Sequence, residues 1–198
     1  MLEARGLCHA FAPGAPVLRG ASIRVAPGEI VGLLGLSGVG KTTLGRILAG
    51  RLRPQAGVVR LDGAPLPPAG FRPVQYCAQH PVEDMNPRWR IGEVLAEPGL
   101  REPAVERALR VDPGWERRYP HELSGGELQR VSIARALRPR TRYLVADEIS
   151  AALDPITQHE IWQVLMARAR ETGLGILAIS HDRALLAGIA TRVETLGD

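Results

Sequence analysis

"GLSGVGKTT", residues Gly35 to Thr43, is the stretch whose reading decides the fold. Gly35, Gly40, Lys41 and Thr42 satisfy the spacing G-x-x-x-x-G-K-[ST]. The preceding "EIVGLLG" (Glu29–Gly35) is a short apolar run of the kind a buried parallel strand needs. The following "KTTLGRILAG" sets Leu44, Ile47 and Leu48 at helical spacing, with Gly50 as a stop. Glycines between a strand and a helix let successive backbone N–H groups face phosphate oxygens, and the helix N-terminus adds about half a positive charge there. Lys41 is the only lysine among 25 basic residues. A loop wrapped around a phosphate accommodates a compact ammonium, whereas the planar guanidinium used elsewhere in this chain is larger and wants a fork-shaped partner. The Thr42 hydroxyl is placed to ligate a magnesium ion carried by the phosphates.

Working outward, further strands are expected at "GVVRLDG" (Gly57–Gly63), "PVQYCAQ" (Pro73–Gln79), "YLVAD" (Tyr143–Asp147) and "GILAIS" (Gly175–Ser180). Helices are expected at "RIGEVLAE", "PAVERALR", "SGGELQRVSIARAL" (Ser124–Leu137), "PITQHEIWQVLMARARE" with Pro155 in its first turn, and "RALLAGIA". Strands alternate with helices, which predicts an α/β fold with a parallel core. The Pro-broken, polar stretch around Pro87–Val111 reads as part of an inserted helical subdomain, placed at about 84–138 within a single domain spanning 1–198.

The composition narrows the classes. The chain has 198 residues, 45% apolar and 23% charged, which is ordinary for one globular domain with a buried core. A net charge of +4 permits contact with nucleic acid, but the arginines are scattered and few aromatics lie among them, so no nucleic-acid partner is expected. Cys8 and Cys77 stand far apart with no metal-ligand pattern around them. The opening "MLEARGLCHAF" does not resemble a secretory leader, and no run approaches the roughly 18 apolar residues of a membrane span. A cytoplasmic protein is expected, reaching any membrane through a partner.

Three further stretches carry chemistry. "YLVADE" ends a strand in two carboxylates: Asp147 to hold Mg²⁺, usually through water, and Glu148 to orient and polarise an attacking water. "ISHD" puts His181 at the end of the next strand, where its imidazole could hydrogen-bond a γ-phosphate. "LSGGELQR" (Leu123–Arg130) opens a helix with Ser124 and Glu127 in the S-x-x-E capping pattern. Gly125 and Gly126 bare the backbone at that helix start. This makes a second anion site that one nucleotide cannot fill from the same chain, so ATP clamped between two subunits is expected.

Taken in order, "GLSGVGKTT", "AQHP", "LSGGE", "YLVADE", "AALD" and "ISHD" resemble the motif set of ABC transporter nucleotide-binding subunits: Walker A, Q-loop, signature, Walker B, D-loop and switch histidine. The resemblance covers essentially the whole chain. "MNPRWRIGEVLAEP" and "YPHELSGGELQRVSIARAL" look most like the peptide and nickel importer branch. It implies a P-loop NTPase core with a parallel-rich central sheet, a small antiparallel β part and the helical insertion. Ser37, Gly38 and Thr43 then join Gly35, Gly40, Lys41 and Thr42 around ATP. Gln79 contacts the γ-phosphate and Mg²⁺ and links them to the membrane partner. Ser124, Gly125, Gly126 and Glu127 meet the nucleotide of the opposite subunit, Asp154 communicates across the dimer, and Phe11 sits where the family places an aromatic against adenine.

The implied function is an ATP-hydrolysing subunit, peripheral on the cytoplasmic face of the membrane, that powers peptide or nickel/metal-chelate uptake. Its implied partners are membrane permease subunits, a second copy or similar ATPase and, indirectly, an extracellular binding protein. The rival is a non-transport ABC ATPase, such as an accessory subunit of phosphonate metabolism. Three departures from the pattern stand out. Glu127 replaces the usual Gln, Ile149 replaces a common Pro and so predicts a less rigid segment after Glu148, and the C-terminal extension usual in peptide importers does not follow "TLGD".

Overall fold

The computed structural model describes residues 1–97, 99 and 101–197. Among them, nine strands form two sheets. The five-stranded sheet has the order β6-β7-β8-β3-β9. It comprises β3 (Ile30–Leu34), β6 (Val74–Cys77), β7 (Tyr143–Asp147), β8 (Gly175–Ile179) and β9 (Arg192–Thr195), paired in parallel throughout. The four-stranded sheet, order β2-β1-β4-β5, is antiparallel and consists of β1 (Leu2–Ala12), β2 (Ala15–Val25), β4 (Ala56–Leu61) and β5 (Ala64–Pro65). The expected α/β core and small antiparallel part are both present.

Every residue of β7 and β8 is buried, which explains why their sequences are apolar throughout except for Asp147 at the end of β7. Successive side chains point to opposite faces and feed two separate cores. Tyr143, Val145, Leu177 and Ile179 join Leu44, Ile47 and Leu48 of α1 (Lys41–Leu48) and the inner face of the antiparallel sheet. Leu144, Ala146, Ile176 and Ala178 join the helices of the other side, including Val131 and Ile133 of α4 (Gly125–Ala136) and Ile161 and Leu165 of α5 (Pro155–Thr172). Each large apolar side chain so enclosed contributes about 1.5–3 kcal/mol. The parity has a functional result: Asp147, two residues after Val145, belongs to the α1 face.

α2 (Ile91–Ala96), α3 (Pro103–Ala108) and α4 lie between β6 and β7 in sequence, with short 3₁₀ turns at 81–84, 113–117 and 120–122. Val94, Leu95, Val105, Leu109 and Trp115 pack with Leu128 and Val131 as part of the second core. α6 (Arg183–Ile189) completes the chain before β9. The expected strand over Gly57–Gly63 runs one residue earlier and ends in a turn at Asp62 and Gly63. Reading the sequence for apolar alternation misses the long hairpin β1–β2, because Gly6 sits at a break in register between Ala4 and Leu7 and shifts the buried set from even to odd positions. Ile149 follows Glu148 where a Pro is common. It is buried in the second core, and the Ala151 N–H closes a turn on the Glu148 carbonyl at 3.1 Å.

Candidate nucleotide site

The loop after β3 reaches α1 through two left-handed glycines, Gly38 (φ 81°) and Gly40 (φ 108°). A Cβ at residue 40 would also lie 2.9 Å from both Oand Cγ1 of Val17, so the position needs glycine for conformation and for space. Gly40 caps α1, no side chain caps the helix, and no acidic residue occupies its first turn. Its N-terminal N–H groups and positive dipole end are therefore offered to an anion. Lys41 is buried and folds back over its own loop, its Nζ donating to the carbonyls of Gly35 at 2.7 Å and Leu36 at 3.0 Å.

A cleft of about 700 Å³ opens over this loop. Ser37, Gly38, Gly40, Lys41, Thr42 and Thr43 form its floor. Gln79, Glu148 and His181 enter from beyond the ends of β6, β7 and β8. Phe11, at the end of β1, and Val17 on β2 close the remaining side. Phe11 is 69% exposed and meets His9 edge to face, with ring centroids 4.8 Å apart, leaving most of its surface free for a flat ligand. Glu148 adopts a left-handed backbone (φ 51°), unusual for a side chain of its size, and its N–H donates to the Ile179 carbonyl at 3.0 Å. That turn brings its Oε2 to 3.2 Å from Nδ1 of His181.

Asp147 lies behind this cleft rather than in its lining, only 4% exposed. Its Oδ2 accepts a hydrogen bond of 2.6 Å from the Tyr76 phenol. Burial, and then the Asp147 charge, push the Tyr76 pKa well above the usual phenol value, so the phenol keeps the proton it donates. On the opposite face of β6, burial raises the Cys77 thiol to about 12, which leaves it inert at neutral pH.

The remaining motif residues sit elsewhere. Ser124, Gly126, Glu127 and Asp154 line a second cleft of about 480 Å³, which shares no lining residue with the first. Ser124 and Glu127 form the reciprocal cap expected of them: Ser124 N–H donates to Glu127 Oε2 at 2.7 Å and Glu127 N–H to Ser124 Oγ at 3.4 Å. Gly125 is the first residue of α4. Asp154 caps α5, accepting from the N–H groups of Ile156 and Thr157 at 3.0 Å each.

Sequence reasoning missed Tyr76, and it also missed Asp84. The Asp84 carboxylate is buried and takes Arg51 Nη1 at 2.6 Å, the Ala78 N–H at 2.5 Å and the Ser132 hydroxyl at 3.4 Å. It thereby ties the end of α1, the residue before Gln79, and α4. In "VEDMNP" it reads as one more acidic turn residue, and no local signal marks it. Tyr76 did carry a signal, the parity that puts it on the same face as Asp147.

The family profile described as ABC transporter matches residues 18–151. The chain belongs to the ABC transporter family. A Brucella ovis protein named as a putative peptide import ATP-binding protein is 36% identical over 99% of this chain and 69% of its own length. A Brucella abortus protein of the same description is 38% identical over 88% of this chain and 58% of its own length. Among solved structures, a dimeric bacterial ABC transporter cassette superposes with a TM-score of 0.85 at 23% identity, covering 99% of this chain and 94% of the cassette. A structure described as the ATP-binding subunit of an ABC transporter gives 0.82 at 25% identity, covering 99% and 85%. The chain is thus an ABC ATPase cassette in family and fold, and no helix among its described residues is long and apolar enough to cross a membrane.

Proposed function

We propose that this cassette binds ATP with Mg²⁺ in the cleft over Lys41 and hydrolyses it in a head-to-tail dimer, powering peptide uptake through a separate membrane permease. The observation that carries the dimer is the separation of the two clefts. The phosphate loop, Gln79, Glu148 and His181 line one, and Ser124, Gly126 and Asp154 line the other, with no residue in common. A single nucleotide lying against Lys41 therefore leaves the α4 N-terminus of the same chain for a nucleotide held by a second chain.

In the bound state, the Lys41 ammonium exchanges the carbonyls of Gly35 and Leu36 for β- and γ-phosphate oxygens. The N–H groups of the first α1 turn face the same charge, and Phe11 stacks on the base. The chain also fits a hard cation. Thr42 and Gln79 offer oxygens in the cleft, the buried Asp147 carboxylate lies just behind, and no cluster of three or more His, Cys, Asp or Glu among the described residues would hold a metal without the nucleotide. When bound, Mg²⁺ would offset the charge building on the phosphates. Glu148 orients the attacking water, and His181, held against Glu148, donates to the γ-phosphate. Ser124 and the bare N–H groups of Gly125 and Gly126, with Glu127 beside them, close over that phosphate from the partner chain. Asp154 lies beside them and meets the partner.

Peptide rather than metal chelate is favoured by the names of the Brucella relatives, putative peptide import ATP-binding proteins. The helical segment, about 84–138, is proposed as the part that meets the permease, with the membrane's cytoplasmic face as the site of action. Two dead variants test the shared site. Lys41→Ala and Ser124→Arg chains are each inactive alone. Mixed in equal amounts they should regain about a quarter of wild-type hydrolysis, because half the dimers are mixed and each carries one intact composite site. No recovery at any ratio contradicts the head-to-tail site. In cells lacking the chain, uptake of a labelled oligopeptide should return with the wild type and not with Glu148→Gln.

A further inference from the structure

Tyr76 and Asp147 sit on one face of neighbouring parallel strands. β6 and β7 pair with Tyr76 opposite Val145 and Cys77 opposite Ala146, which puts Asp147 one pleat beyond Tyr76's direct neighbour. A diagonal of this kind is too long for a small side chain and within reach of an aromatic one. The Tyr76 ring is buried and held by its surroundings: the Arg51 guanidinium lies 4.7 Å from its centroid and also donates to the Tyr76 carbonyl at 3.2 Å. Arg51 is itself anchored to Asp84 at 2.6 Å. The phenol is therefore a fixed donor, and its 2.6 Å bond commits Oδ2 of Asp147 while leaving Oδ1 available.

We propose that Tyr76 is a positioning residue for the cation of the reaction, locking the Asp147 carboxylate so that its second oxygen faces the water shell of the divalent ion that enters with ATP. The inference rests on the reading of Asp147 as the cation's carboxylate. Ligands and near-ligands of metals are commonly oriented by a hydrogen bond from behind, and losing that bond costs about 10–100-fold in metal affinity or activity. A buried phenol also needs a partner for its own sake. The two roles separate experimentally, because a phenol that is merely satisfied has no influence on the cation.

The test uses Mn²⁺ as the probe, in a Glu148→Gln background that holds ATP without consuming it. ATP affinity is measured with excess Mn²⁺ and with EDTA, and the ratio is the metal-dependent gain. Bound Mn²⁺ is followed by its EPR spectrum, and unfolding without nucleotide confirms that each variant is folded. Tyr76→Phe keeps the ring, so its affinity in EDTA should match the background, while the gain falls about tenfold or more. An unchanged gain and spectrum overturn the proposal. Asp147→Asn should lose the gain too, and Tyr76→Phe added to it should lose nothing further. Additive losses show that the phenol does not act through Asp147 and overturn the proposal. A full gain in Asp147→Asn alone overturns the earlier reading of Asp147, and this one with it.

Discussion

Nδ1 of His181 lies 3.2 Å from Oε2 of Glu148, across the ends of the adjacent strands β7 and β8. The pairing joins the residue proposed to orient water to the one proposed to meet the γ-phosphate, and it depends on the left-handed turn at Glu148.

Glu148→Gln should bind ATP as the wild type does and lose steady hydrolysis by about 10²–10⁴-fold, the usual worth of a positioned general base. His181→Ala should lower turnover and leave nucleotide affinity nearly unchanged. Phosphate release and a fluorescent-nucleotide titration measure the two separately. Wild-type turnover in Glu148→Gln would remove it as the base.

Lys41→Arg keeps the charge and should still lose at least about tenfold in ATP affinity. The ammonium occupies a buried space bounded by the Gly35 and Leu36 carbonyls at 2.7 and 3.0 Å, which a guanidinium does not fit without opening the loop. Equilibrium titration of the purified variant decides the point.

Gly175→Ala should destabilise the fold without touching the nucleotide cleft. A Cβ there would lie 2.4 Å from the buried Tyr143 ring and 2.8 Å from the Ala26 carbonyl oxygen. Overpacking of this kind costs about 1–3 kcal/mol. For a chain of this size the unfolding midpoint should fall by about 2–4 °C per kcal/mol, while ATP affinity well below that midpoint stays as in the wild type.

The Asp154 carboxyl is held below its ordinary pKa, chiefly by the Thr157 N–H and with help from Ile156. A depressed native pKa gives stability that is complete above the unfolded carboxylate range, about pH 4, and fades as pH falls through the native value. Asp154→Asn also caps well, so its unfolding midpoint should approach that of the wild type as pH drops from 6 towards 3. Asp154→Ala should be less stable than either at neutral pH. Thermal unfolding against pH gives both results.

What the sequence disclosed was local. "GLSGVGKTT" and "YLVADE" each carry their strand, turn and chemistry within a few adjacent residues, and they fold as they read. The bare glycines after Ser124 were read as a second anion site, and Gly126 does line a cleft apart from the one over Lys41. The N-terminal hairpin stayed hidden because Gly6 reverses the alternation that marks a strand. Arg51, Asp84 and Ser132 could not be grouped from sequence, since their neighbourhood exists only once α1, β6 and α4 have packed. Tyr76 lay between these cases: its face was readable, but its length and its aim at Asp147 were not.

The buried Asp84 carboxylate gives the segment that follows Gln79 a mechanical character. Arg51, Ala78 and Ser132 converge on it from three elements. A load applied near Asn86–Trp89 thus meets a pivot before it meets Gln79. If the pivot holds, the strand end before Gln79 and the helix that begins at Gly125 are displaced together, as two arms of one lever. If it gives way, a charged group is stripped of its partners inside the protein, a costly event. Replacing Asp84 by Asn would slacken that lever while leaving both ends of it intact.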